Sequence, residues 1–109
     1  MECLLGTPLN YALVNLYRDG DDSLGAHSDD TRDLVRGSPI VGVSFGAPRD
    51  MLFRAKAAPL TYALKLQPGS VFTMSSAFNR AYTHAIPKRA GVRGPRLSVT
   101  FRNMRTVDG

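Results

Sequence analysis

His27 and Asp29 stand two residues apart in Gly25-Ala26-His27-Ser28-Asp29-Asp30, and the only other histidine of the chain, His84, follows 55 positions after Asp29 (84 − 29). Two imidazoles and one carboxylate are the donor set that holds one face of an octahedral Fe(II) and leaves the other face open for a co-substrate and O2. In extended backbone, residues i and i+2 point to the same side, so His27 and Asp29 can turn toward one ion while His84 arrives from another strand. An exposed loop histidine beside carboxylates has the same local sequence, so the triplet alone leaves both readings open.

A second set lies in Pro95-Arg96-Leu97-Ser98-Val99-Thr100-Phe101-Arg102. Its alternation is that of a strand, with Arg96, Ser98, Thr100 and Arg102 in one phase. A guanidinium grips a carboxylate through two parallel hydrogen bonds, and a dicarboxylic acid offers two ends. Six residues of strand advance roughly 20 Å, so one small ligand meets both arginines only if the strand twists or the side chains lean inward. The alternative is an edge strand with solvated arginines.

These residues need a scaffold of strands. Alternation and β-branched runs predict strands at residues 11–17, 40–45, 51–54, 61–66, 71–74, 82–86 and 97–102, with turns at Asp19-Gly20-Asp21, Ser38-Pro39 and Gly46-Ala47-Pro48. Only residues 29–35 hint at a helical turn. Many short strands at near-regular spacing predict an all-β sandwich or barrel. A chain of 109 residues is one domain, 1–109, with a single modest core. A hydrophobic share of 43% without a long apolar run predicts a soluble protein with no membrane span. The N-terminal residues lack the basic start and apolar stretch of a secretory signal. Cys3 is the sole cysteine, which excludes internal disulfides and cysteine-based zinc sites and points to an intracellular location.

The net charge of +5 is unevenly spread. Asp19, Asp21, Asp22, Asp29, Asp30 and Asp33 are six of the nine acids, whereas residues 51–107 hold ten Lys or Arg and no acid. Such a stretch is either an electrostatic footprint for a polyanion or a solvated basic surface.

In order along the chain, Asn15-Leu16-Tyr17, Asp19-Gly20, the Gly25 to Asp30 segment, Gly37-Ser38-Pro39-Ile40, Val43-Ser44-Phe45-Gly46 with Arg49-Asp50, Pro68-Gly69-Ser70, Tyr82-Thr83-His84-Ala85-Ile86-Pro87 and the Arg96 to Arg102 strand resemble the AlkB family of Fe(II)- and 2-oxoglutarate-dependent dioxygenases. Gly37-Ser38-Pro39 and Phe45-Gly46-Ala47-Pro48-Arg49-Asp50 are most similar to the eukaryotic members that repair alkylated duplex DNA. The resemblance implies a double-stranded β-helix, or jelly roll, in a minimal form lacking the N-terminal lid region, whether as a minimal member or as a fragment of a longer protein. It implies Fe(II) on His27, Asp29 and His84, with 2-oxoglutarate and O2 as co-substrates. Asn15, Tyr17 and Arg96 would hold the distal carboxylate of 2-oxoglutarate, and Arg102 would reach the carboxylate nearer the metal. Asp30, Arg49, Lys88 and Arg89 would face the substrate. Asp30 reads equally as a solvated loop acid or a partner of His27, and Lys88-Arg89 as part of a solvated hairpin loop. Tyr11, Phe45, Phe78 and Tyr82 are generic candidates for stacking on a flipped base. Ser98 departs from the Asn of the best-known relatives.

The activity so implied is oxidative demethylation of N-alkylated bases, of the 1-methyladenine and 3-methylcytosine type, in DNA more than RNA. A monomer in the nucleus or cytoplasm is expected. The alternatives are a 2-oxoglutarate-dependent hydroxylase or demethylase of a protein or other substrate, and an inactive nucleic-acid-binding domain.

Overall fold

The computed structural model describes residues 9–105. Eight strands and one short helix follow in the order β1 (Tyr11–Tyr17), β2 (Leu24–His27), β3 (Ile40–Gly46), β4 (Arg49–Ala55), β5 (Thr61–Leu66), β6 (Val71–Met74), α1 (Ser76–Ala81), β7 (Tyr82–Ile86) and β8 (Arg96–Arg102). They form two antiparallel four-stranded sheets, β1-β8-β3-β6 and β2-β7-β4-β5. Successive strands alternate between the sheets at nearly every step, which is the winding of a double-stranded β-helix, the jelly roll expected. Among the described residues no helix is long and apolar enough to cross a membrane.

The seven expected strands are present, β4 beginning two residues earlier and β3 and β8 each extending by one. The hinted helical turn at 29–35 is reduced to one turn at residues 31–34, where the Leu34 amide donates to the Thr31 carbonyl (3.2 Å). That segment is a loop pinned to the end of β8 by a Leu34–Met104 bridge and by the Val35 amide donating to the Asn103 carbonyl (2.8 Å). Two elements are additional. β2 is only four residues long with a register irregularity between Leu24 and His27, and α1 is a single capped turn and a half, its Ser75 hydroxyl accepting from the Phe78 amide (3.1 Å).

Strands β1 and β8 of the β1-β8-β3-β6 sheet invert the usual arrangement, whereas β3 and β6 turn Ile40, Phe72 and Met74 inward. The sheet's inward phase also carries Asn15, Tyr17, Ser44, Arg96, Ser98, Thr100 and Arg102, which line the space between the sheets. Its outward phase is apolar, with Val14, Leu16, Phe45 and Val71 exposed. Further apolar filling comes from the facing sheet and the barrel ends. Tyr17, Leu66 and Ile86 cluster with Leu24, Met51 and Phe72, and a second cluster joins Leu34, Ile40 and Met74 to Phe72, Phe78 and Met104.

Two glycines are required by close approach. Gly20 presses its backbone on the loop after β7, where a Cβ would lie 1.8 Å from the Arg89 carbonyl oxygen. Gly46, at φ +87°, turns β3 against the start of β8, and a Cβ there would meet the Pro95 oxygen at 2.3 Å. Both explain why the turns sit next to glycine in the sequence: only a residue without Cβ lets the neighbouring chains pack.

Candidate metal centre and its cavity

His27 and His84 are directly paired across β2 and β7, their ring centroids 4.4 Å apart. Directly opposed residues on neighbouring strands share a face, so this register alone aims both imidazoles inward. Asp29, two residues beyond His27, brings Oδ1 to 3.3 Å from His27 Nε2 and 3.4 Å from His84 Nε2. One donor atom from each of the three lies within 4.8 Å of the others, a spacing that one small ion can bridge. His27 Nδ1 lies 2.7 Å from the Gly25 carbonyl oxygen, so a proton on Nδ1 leaves the Nε2 lone pair for a metal. Burial pushes the Asp29 carboxyl up, but its contact with His84 and the charges of Arg102 and His27 outweigh burial and hold it below the ordinary range. It is thereby kept as the anion a ligand must be.

Asn79, which sequence reasoning missed, fixes this carboxylate from behind. Its Nδ2 donates to the Asp29 carbonyl (3.0 Å) and its Oδ1 accepts from the Asp29 amide (2.9 Å), a two-point clamp by a side chain only 2% exposed. The one available signal was Ser75 as a helix N-cap, which places Asn79 one turn into α1. Asn79→Ala strips the partners from the part-buried amide and carbonyl of Asp29, at a cost of about 2–3 kcal/mol in stability. Because outer partners of metal ligands typically tune affinity about 10- to 100-fold, a comparable loss of Mn(II) or Fe(II) binding is expected by titration. Unchanged metal affinity in this variant would show that the clamp does not position the ligand.

Beside the three ligands lies a cavity of about 190 Å³ whose wall includes Asn15, Tyr17, Arg96, Ser98 and Arg102. The two arginines six residues apart on β8 therefore do converge on one space. Tyr17 opposes Arg96 and Asn15 opposes Ser98 in the β1–β8 register, which sets all four toward it. Arg96 is 3% exposed, donates to the Ser44 hydroxyl (3.0 Å) and lies over the Tyr17 ring (5.2 Å from the centroid). Burial pushes its guanidinium below the ordinary arginine value and pushes the Tyr17 hydroxyl up. Among the described residues no carboxylate pairs with Arg96, and its Nε is buried without a partner. A buried cation without a counter-ion is costly, so the cavity is built for an anion. Arg102 sits at the metal end, 3.6 Å from Asp29 Oδ2, also with an unpartnered buried Nε. A carboxylate at each end of a short ligand suits this pair, and three hard and borderline donors suit a divalent transition ion.

The expected substrate contacts fare unevenly. Arg49 is corrected: it is 1% exposed, and its guanidinium donates to the carbonyls of Asp19 (3.0 Å), Asp22 (2.9 Å) and Pro87 (2.7 Å), so it braces loops rather than meeting a substrate. Arg89 is tied to Asp50 (3.0 Å). Lys88 is exposed. Asp30 is exposed beside the ligand set and paired with Arg32 (2.7 Å), a surface pair of the kind worth little and easily exchanged. Phe78 and Tyr82 stack on each other (4.3 Å between centroids, 11° between planes).

Residues 2–102 match the family model described as "2OG-Fe(II) oxygenase superfamily". The chain is 40% identical over 107 residues to the human "DNA oxidative demethylase ALKBH2", covering 91% of this chain and 41% of that protein. It is 36% identical to the human "Alpha-ketoglutarate-dependent dioxygenase alkB homolog 3" over 91% of this chain and 38% of the relative. It is 35% identical to "Uncharacterized protein R406" of Acanthamoeba polyphaga mimivirus over 95% of this chain and 54% of the relative. The solved structure of OsALKBH1 superimposes with a TM-score of 0.70 at 23% identity, covering 89% of this chain and 49% of that one. The chain thus spans roughly two fifths to one half the length of the relatives it matches.

Proposed function

The chain belongs to the 2OG-Fe(II) oxygenase superfamily, and from that premise we propose that it demethylates N-alkylated bases of the 1-methyladenine and 3-methylcytosine type in nucleic acid, in DNA more than RNA. The observation that carries the reading is the juxtaposition of the His27, Asp29 and His84 donors with a cavity ending on the uncompensated guanidinium of Arg96. The similarity to a relative named as a DNA oxidative demethylase supports this substrate class. When bound, Fe(II) with 2-oxoglutarate and O2 supplies the oxidising power that hydroxylates an N-methyl carbon, after which the carbon leaves as formaldehyde.

The chain supplies geometry and electrostatics. His27, Asp29 and His84 would hold the ion. Arg96, with Asn15 and Tyr17 on the facing strand, binds the distal carboxylate of 2-oxoglutarate, and Arg102 neutralises charge between the nearer carboxylate and Asp29. In this reading exposed Asp30, freed from Arg32, accepts from a base amine. Lys88 and the basic residues around it attract the polyanion from the surface. The chain acts as a monomer in the nucleus or cytoplasm in this reading.

Incubating the chain with Fe(II), 2-oxoglutarate and oligonucleotides bearing 1-methyladenine or 3-methylcytosine tests it. Equimolar formaldehyde and succinate, with restoration of the unmodified base, are expected. Succinate without formaldehyde or base restoration would move the reading to hydroxylation of another substrate, and neither product would overturn it.

A further inference from the structure

The loop after β2, α1 and the residues following β8 line an open surface groove of about 220 Å³. Its wall carries Arg32, Arg36, Arg80 and Arg105, together with the hydroxyl residues Ser38 and Ser76, and no carboxylate. We propose that this groove seats the phosphodiester backbone of the nucleic acid flanking the base presented to the metal. The proposal rests on the nucleic-acid reading above and adds to it the place where the backbone lies.

Three observations carry it. First, the four arginines come from three separate stretches of chain, and among the described residues the carboxylates that offset their charge, Asp30 and Asp33, both stand beside Arg32, so the rest of the groove keeps like charges together that an anion would relieve. The chain holds them there: Arg105 donates to the Arg32 carbonyl, and the Arg105 amide to the Asp33 carbonyl (2.7 Å). Second, Arg18 and Arg89 on other loops are committed, to Asp22 (2.9 Å) and to Asp50 (3.0 Å). Among the described residues Arg36 and Arg80 make no ion pair, and Arg32 is held only by the solvated Asp30. Third, the groove is rigidly referenced to the metal ligands. Arg80 follows Asn79, whose side chain clamps the Asp29 backbone, and Arg32 lies three residues beyond Asp29. A phosphate held by these guanidiniums is therefore registered against the centre where the base reacts, as phosphate contacts commonly fix register without reading sequence.

The test is fluorescence anisotropy of an unmethylated single-stranded oligonucleotide against salt, for the wild type, the Arg36→Ala/Arg80→Ala double variant and Lys88→Ala as a reference. Both groove side chains are exposed, so their truncation leaves the core untouched. For the double variant the slope of log affinity against log salt should flatten by about 1.4, two phosphates at about 0.7 each. Succinate release without nucleic acid should not change. Inorganic phosphate added at matched ionic strength should weaken oligonucleotide binding by the wild type more than by the double variant; an equal response in both would put the anion site elsewhere and overturn the proposal. If the wild type binds and the double variant shows the same slope, the groove is not the seat, and the demethylation reading stands. If the wild type neither binds nor releases formaldehyde from methylated oligonucleotide, both fall.

Discussion

His84→Ala and His27→Ala should each abolish metal-dependent succinate formation, yet differ in what they do to the metal-free fold. Outer-shell changes alone cost about 10- to 100-fold in metal affinity, so removal of a direct ligand should exceed about 100-fold. His27 lies on an edge strand with a side chain 37% exposed, and its truncation should leave the melting temperature of the metal-free chain nearly unchanged. His84 is on central β7 with a side chain 9% exposed, so its loss should also cost core stability. The common readout is linkage. An ion at about 100 times its Kd stabilises the wild type by about 2.7 kcal/mol, and that metal-induced rise in Tm should vanish in both variants. A rise retained in His84→Ala would remove His84 from the ligand set.

Arg96→Met should move stability and binding in opposite directions. The substitution keeps apolar bulk between Tyr17 and Ser44 while deleting a buried cation that lacks an acidic partner, a change often neutral or stabilising in a folded core. The chain without ligand should therefore melt no lower than the wild type. Half-saturation by 2-oxoglutarate should rise about 10- to 100-fold, the equivalent of losing one charged hydrogen-bond set of about 1.5–3 kcal/mol. Metal affinity should hold, because Arg96 touches none of the three ligands. Wild-type co-substrate affinity in Arg96→Met would refute the assignment, whatever the variant's stability.

Most of the barrel was readable because its strands announce themselves by alternation, and because Asp19-Gly20 and Gly46 mark turns that the packing makes obligatory. The pairing of His27 with His84 was readable only as a donor set; the register that makes them neighbours depends on strands 55 or more residues apart. β2 escaped because Leu24-Gly25-Ala26-His27 is short, contains glycine and breaks register, so it has no period to detect. α1 is too brief for a helical period, and Asn79 went unseen with it. Alternation also says which residues share a face without saying which face is the core. On β1 and β8 the polar phase turns inward, the reverse of the common case. Arg49 misled because the resemblance carried it over as a substrate contact, whereas three carbonyls from segments distant in sequence hold it. The arginines of the surface groove come from separate segments, and no linear window contains them.

β2 is four residues long, lies at the edge of its sheet and has β7 as its single neighbour, with an irregular ladder between them. Short edge strands with few backbone hydrogen bonds occupy the low end of local opening free energies, well below the global value. Two of the three donors, His27 and Asp29, ride on or just beyond that strand, and the third is on its neighbour. The centre is thus a seam between one strand that can part and one that cannot. Fraying of those four residues would carry two of the three donors away from His84 while the rest of the barrel stays closed, so the donor set would come apart well before the protein unfolds.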